Sequence, residues 1–312
     1  MCAHVTYRSH TICPAQRAAP RHTGPRQEGE RMGAHGQRGP AQRLGRSLVD
    51  THEFVFVGGL HRSGTSPFAA TLARHPEVSG LSSTGVKEDE GQHLQDVLPA
   101  ARVHGGAGRF ALDPGAHLTE DSPLATEANA ERMAVQWAPY WDLARPFLME
   151  KSPPTIVRTR LLQALFPRAR FVIMVRHPVV VTLSTRKWRK TASLASLFDN
   201  WFAAHQTLFG DLGRLTDVQV LKYEHLVQAP RPTLAGLADW LGLHGEVPAV
   251  GIHADASAGY EELWQRWAGS RVPWRRAEYA RLVERYETRA NAFGYSLTDL
   301  AACEAFPSPT EV

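Results

Sequence analysis

Residues 54–66 read Phe54-Val55-Phe56-Val57-Gly58-Gly59-Leu60-His61-Arg62-Ser63-Gly64-Thr65-Ser66, and no other stretch constrains the fold as tightly. Four apolar residues run into two glycines, a short loop follows, and Gly64-Thr65-Ser66 opens a helical pattern. That order predicts a buried strand, a glycine-bearing loop and a helix N-terminus. The first N–H groups of a helix have no partner within it and carry the positive end of its dipole. Such a junction therefore binds anions, phosphate above all.

The spacing Gly59-x4-Gly64-Thr65-Ser66 nearly fits the nucleotide-phosphate loop G-x-x-x-x-G-K-[ST]. It departs where Thr65 replaces the lysine, and the loop's only cation is Arg62. A loop so built can hold a 5′-phosphate but lacks the lysine that reaches β- and γ-phosphates. A second segment, Phe171-Val172-Ile173-Met174-Val175-Arg176-His177-Pro178, reads as another buried strand followed by a helix through Ser184. Arg176 stands at its carboxyl end, where open α/β sheets place ligand-contacting residues. Pro178 suits the first helical turn, where its missing N–H would be unpaired anyway.

These residues resemble the sulfotransferases that use 3′-phosphoadenosine 5′-phosphosulfate (PAPS). Their 5′-phosphosulfate loop typically reads Arg/Lys-Ser-Gly-Thr-Thr/Ser, and here it reads Arg62-Ser63-Gly64-Thr65-Ser66. Their 3′-phosphate grip pairs an Arg at a strand end with a Ser eight residues on, the spacing of Arg176 and Ser184. Three further segments are similar to the family's: Phe147-Leu148-Met149-Glu150-Lys151-Ser152-Pro153, Val218 to Leu226 with its Tyr223-Glu224-His225-Leu226 turn, and the closing Phe293-Gly294-Tyr295. The likeness runs over roughly residues 53–297.

The resemblance implies a P-loop-like parallel β-sheet flanked by helices on both faces. It implies PAPS as co-substrate, no metal, and a hydroxyl acceptor that is a small molecule, lipid or sugar. Arg62 would stabilise the bridging oxygen and sulfonate. Ser63, Gly64, Thr65 and Ser66 would hold the 5′-phosphate, and Arg176 and Ser184 the 3′-phosphate. A late, loosely matching loop makes Arg271 a further 3′-phosphate candidate. Members of the family often place an acidic base after the second strand, where Lys87-Glu88-Asp89-Glu90-Gly91-Gln92-His93 lies. Glu88 is the first candidate, Glu90 the second and His93 the third. Lys151 would add positive charge near the sulfonate, or pair as a structural ion near Glu150. A P-loop small-molecule kinase is the alternative enzyme, disfavoured by Thr65 and by strands that end in Glu150-Lys151 and Arg176 rather than in a Walker B acid. A non-catalytic nucleotide-binding protein is the alternative without turnover.

The chain has 312 residues, 43% of them hydrophobic, enough for one large domain. The net charge is +4, but residues 1–50 alone carry +5, leaving −1 for the rest. The basic balance therefore belongs to the tail, which argues against a nucleic-acid partner for the domain. Residues 1–47 are Arg-, Gly-, Pro- and His-rich with little apolar periodicity, so they are expected to be disordered, with a single domain over 48–312. No apolar stretch marks a signal peptide or a membrane span, which points to a cytoplasmic relative of the Golgi-anchored eukaryotic enzymes. Cys2, Cys13 and Cys303 form no C-x-x-C pair. Strands near 54–58, 147–150, 171–175 and 218–222 alternate with helices, among them 65–74, 124–143, 154–165, 179–188, 194–213 and 275–292. That alternation predicts a parallel sheet. Residues 81–122 read as a long loop-rich insertion, of the kind that carries function or moves.

Overall fold

The computed structural model describes residues 39–252 and 254–307. Five strands form one all-parallel sheet in the order β2-β3-β1-β4-β5: β1 (Glu53–Gly59), β2 (Val78–Gly80), β3 (Phe147–Lys151), β4 (Arg170–Val175) and β5 (Val218–Lys222). The helices in chain order are α1 (Pro40–Thr51), α2 (Thr65–Leu72), α3 (Glu127–Trp137), α4 (Thr159–Leu165) and α5 (Pro178–Arg186). They continue with α6 (Leu194–Leu212), α7 (Tyr223–Gln228), α8 (Pro230–Leu241), α9 (Ala258–Ala268) and α10 (Pro273–Asn291).

Successive residues of a strand point to opposite faces, and the central strands use both. Phe54, Phe56, Phe171 and Ile173 face a core shared with Met133, Trp137, Leu161, Phe198 and Trp201. Val55, Val57, Val172 and Met174 face a second core with Phe68, Leu72, Leu234 and Leu237. The near-continuous apolar runs at 54–57 and 171–175 follow from this double burial. Helices thus cover both faces of the sheet, as the sequence implies.

Two boundaries depart from expectation. The chain expected to lack structure through residue 47 is helical from Pro40, capped by Gly39; residues 1–38 lie outside the described residues. Helix α1 buries Gly45 and Leu48, and a Cβ on Gly45 would lie 2.4 Å from the Glu131 carbonyl oxygen. The helix is amphipathic but short of apolar residues, with only Gly45 and Leu48 buried. The helix expected over 124–143 is shorter: α3 passes into a 3-10 turn at Ala138–Tyr140, which contains Pro139. Met133, Trp137 and Trp141 remain buried.

The 81–122 segment has no strand or α-helix. It folds as five 3-10 turns, with Gln92, Phe110 and Ala116 buried. Among the described residues no helix is long and apolar enough to cross a membrane.

Candidate active site

The carboxyl ends of β1, β3 and β4 open onto a cavity of about 460 Å³. The β1 end supplies the loop into α2. Gly59 lies at φ 146°, and a Cβ there would stand 2.5 Å from the Met174 carbonyl oxygen of the neighbouring strand. Gly64 caps α2 at φ 92°, and a Cβ there would meet the Tyr223 ring at 2.5 Å. Both positions need glycine for conformation and for space. Between them Arg62 holds φ 75°, a left-handed geometry that costs a residue with a side chain roughly 1–2 kcal/mol. Gly64, Thr65 and Ser66 line the cavity at the start of α2. Ser63 is fully buried, and its Oγ has no hydrogen-bond partner among the described residues.

Arg176 lines the same cavity from the end of β4. Its guanidinium lies 4.1 Å over the Tyr223 ring, donates to Ser257 Oγ at 2.7 and 3.3 Å, and donates to the Arg62 carbonyl at 3.2 Å. Ser184, buried on α5, accepts from Arg62 Nε at 2.7 Å. The two anion grips read separately from the sequence, 62–66 and 176/184, therefore meet. His177 orients α5: its Nδ1 accepts from the Val179 N–H and its Nε2 donates to the Ser296 carbonyl. Burial holds His177 neutral, lowering its pKa to about 4. Glu224 accepts from the His177 N–H at 2.9 Å and from the Tyr295 hydroxyl at 2.8 Å, tying β4 to the closing segment.

The opposite wall comes from the 87–93 turns. Lys151, buried at the end of β3, donates to Ser66 Oγ at 3.2 Å and to the Glu88 carbonyl at 2.7 Å. Its third partner is Glu90 Oε1 at 3.4 Å. Lys151 thus pairs with Glu90 of the acidic turn, and both charges act on the neighbouring Glu150. The Glu90 side chain is 9% exposed and lines the cavity, with Gln92 Nε2 donating to it and His93 Nε2 at 3.7 Å. Glu88 also lines the cavity, but its side chain is exposed and its backbone is left-handed at φ 58°.

Of the expected site residues, Arg62, Gly64, Thr65, Ser66, Glu88, Glu90 and Arg176 line the cavity. Ser63, Lys151 and Ser184 lie buried behind it. Arg271 does not join them: it is exposed on the turn between α9 and α10 and is not part of the cavity wall. Trp264 is a core residue whose Nε1 donates to the Leu297 carbonyl.

Four residues had no role from sequence: His61, Trp188 and Tyr223, which line the cavity, and Ser257, buried against Arg176. Burial lowers the His61 pKa to about 4, and its Nδ1 has no partner among the described residues. Trp188, 49% exposed, lies 4.6 Å from both the Arg62 guanidinium and the Lys87 ammonium. Tyr223 was legible as part of the Tyr-Glu turn; Ser257 lies in a stretch with no pattern to flag it.

The site-bearing segment matches a model of the sulfotransferase family over residues 55–246, more than half of the chain. Among curated proteins, the chain is similar to protein-tyrosine sulfotransferase 2 of Gallus gallus, 26% identical over 61% of this chain and 51% of that protein. It is also similar to protein-tyrosine sulfotransferase 1 of Danio rerio, 25% identical over 61% and 53%. The chain thus spans about half the length of these two relatives. Among solved structures, a sulfotransferase from Mycobacterium tuberculosis is 17% identical, covering 74% of this chain and 81% of that one at TM-score 0.45. The sulfotransferase domain of the Synechococcus olefin synthase is 22% identical, over 67% and 88%, at TM-score 0.42. With the family's match lying over the loop, both strand ends and the acidic turn, this chain belongs to the sulfotransferase family.

Proposed function

We propose that the protein transfers a sulfuryl group from PAPS to a hydroxyl acceptor. The observation that carries this reading is the hydrogen bond from Arg62 Nε to Ser184 Oγ, 2.7 Å across 122 residues of sequence. It joins a loop suited to a 5′-phosphate to helix α5, whose Ser184 is the partner that the resemblance gives Arg176 for gripping a 3′-phosphate. The residues fit a doubly phosphorylated nucleotide. Ser63 offers a buried unpartnered hydroxyl, Gly64 keeps the loop open to close approach, and Arg62 and Arg176 supply two cations.

PAPS would supply the sulfuryl group and a bisphosphate leaving group. The chain's own task is then positioning and charge stabilisation. Arg62 and the N-terminus of α2 offset charge gathering on the bridging oxygen. Lys151, held by Ser66 on one side and Glu90 on the other, adds a cation between the loop and the acidic turn. Glu90 takes the acceptor proton. It is favoured over Glu88 because its buried carboxylate is one ion pair away from the phosphate loop, whereas Glu88, though it lines the cavity, is exposed and makes no ion pair with Lys151.

The test is transfer of radiolabelled sulfate from PAPS to a panel of hydroxyl compounds. The panel holds phenols, sugars, sterols and tyrosine peptides, the last because the curated relatives are protein-tyrosine sulfotransferases. Label on any acceptor supports the reading. No label on any acceptor, and no PAP (3′-phosphoadenosine 5′-phosphate) released from PAPS in water, contradicts it.

A further inference from the structure

Behind the acidic turn lies a buried polar cluster that the reaction as described does not use. Glu150 and Lys151 are adjacent in β3, so their side chains leave opposite faces of the sheet. Both reach the same turn. Lys151 grips it from the cavity side, through the Glu88 carbonyl and the Glu90 carboxylate. Glu150 grips it from the core side. Its carboxyl accepts from Ser152 Oγ, whose oxygen in turn accepts from the Gln92 N–H at 2.9 Å. The Gly91 N–H is also directed at Glu150, and a Cβ on Gly91 would lie 2.5 Å from its carboxyl oxygen. Trp137 Nε1 donates to the Gly91 carbonyl at 3.0 Å, and Gln92 Nε2 donates to Glu90. The chain Glu150–Ser152–Gln92–Glu90 is thus continuous from the core to the cavity.

We infer that Glu150 is a positioning residue for Glu90, fixing the 90–93 turn so that the Glu90 carboxylate stays aimed into the cavity. The inference rests on the proposed role of Glu90 as base.

Three observations agree with it. Glu150, Ser152 and Gln92 are each at most 6% exposed, so the hydrogen bonds among them are made away from bulk solvent. Arg158 shares a cavity of about 20 Å³ with Glu150, and its Nε and Nη2 have no partner among the described residues. Burial raises the Glu150 pKa to about 7, so its charge changes where enzymes usually work. The charged groups facing it are Lys151 on its own strand, Glu90 on the turn and Arg158 at the start of α4. Ionisation of Glu150 adds a negative charge near Glu90 and strengthens the pull on Arg158 and Lys151.

The test compares Glu150→Gln and Glu150→Leu in the full chain, using PAP released from PAPS with water as acceptor. In that reaction the water oxygen joins sulfur and the sulfur–oxygen bond to the 5′-phosphate breaks. The bonding pair leaves on PAP, and the water proton passes to Glu90. Glu150→Leu is expected to lower turnover by at least about tenfold, with PAP affinity, read by calorimetry, changed less than about twofold. Glu150→Gln keeps an oxygen acceptor. It is expected to restore turnover to within about threefold while removing the part of the pH–rate profile that titrates near neutrality. Amide exchange adds a readout that needs no turnover: Glu150→Leu should speed exchange at Gly91 and Gln92 and leave residues 62–66 unchanged. If Glu150→Leu does not fold, Ser152→Ala cuts the same chain and should give the same split between turnover and PAP affinity.

Wild-type turnover and an unaltered pH profile in the Leu and Ala variants would overturn the inference, and so would equal losses of turnover and PAP affinity. If the wild type binds PAP but releases none from PAPS, the amide exchange decides the inference separately from the reaction.

Discussion

The two walls of the cavity are built by different means. The wall proposed to hold the donor, 59–66 with 176–184, is regular structure: two strand ends, two helix starts and two glycines whose backbones leave no alternative. The wall proposed to face the acceptor, 87–93, is a pair of 3-10 turns with few backbone bonds of their own, held by Lys151 on one side and Glu150, Ser152 and Trp137 on the other. A wall made by the backbone fixes where an anion sits. A wall made by side chains can be re-aimed by a single substitution. Donor binding and chemistry should therefore separate by mutation.

The largest effect expected is on Glu90. Glu90→Gln should lower turnover by about 10²–10⁴-fold, the usual contribution of a general base, with PAP affinity unchanged in calorimetry. A parallel loss of PAP affinity would show that the acidic turn belongs to the donor wall after all.

The walls should also fail at opposite ends of the pH scale. Glu150 has its folded pKa raised from 4.5 to about 7 by burial. Its contribution to stability is fully present below 4.5 and is lost as the pH rises through about 7, roughly 3 kcal/mol in all. His177, on the donor wall, has its folded pKa lowered from 6.5 to about 4. Its contribution is present above 6.5 and is lost as the pH falls through about 4. Amide exchange, corrected for intrinsic rates, should show the 90–93 turn loosening toward alkaline pH and the first turn of α5 loosening toward acid. Glu150→Gln should flatten only the alkaline arm. Both walls loosening in the same direction would break the contrast.

Gly64→Ala comes next. A Cβ at φ 92° against the Tyr223 ring displaces either the loop or the ring. PAP should bind about 100-fold more weakly, close to 2.7 kcal/mol, while exchange at 90–93 stays as in wild type. Arg176→Ala removes a charge-assisted grip worth roughly 1.5–3 kcal/mol and should weaken PAP by about 30-fold in calorimetry, with Arg176→Lys between the two. Trp188→Ala should matter least. Its contacts with Arg62 and Lys87 are partly solvated, about 0.5–1 kcal/mol each, so PAP affinity should move by less than about fivefold. A larger loss would place the indole in the donor wall.

The same division explains what could be read in advance. The strand–loop–helix geometry of 54–66 and 171–186 was legible almost residue by residue, because glycine, proline and apolar runs leave a local trace of it. Ser257 and the cavity-facing position of Trp188 were not legible, since long-range folding brings them to Arg176 and Arg62. On the acceptor wall the acidic turn was recognisable, but the order of Glu88 and Glu90 depended on which side chain the turn buries. That is set by Lys151, Ser152 and Gln92, contacts 60 or more residues apart or hidden in side-chain geometry. Arg271 was proposed on a loose likeness and lies exposed. Helix α1 was missed because only Leu48 and Gly45 of its residues reach the core, leaving few apolar positions in an Arg-rich stretch.

The most direct test of the central claim is thermal unfolding of the protein with PAP, set beside ATP with magnesium. A ligand at 100 times its Kd stabilises the fold by about 2.7 kcal/mol, a rise of roughly 5–10 °C for a domain of this size. The two-grip donor site predicts that rise with PAP and little with ATP–magnesium. A rise with ATP–magnesium alone, or with neither ligand, would contradict it.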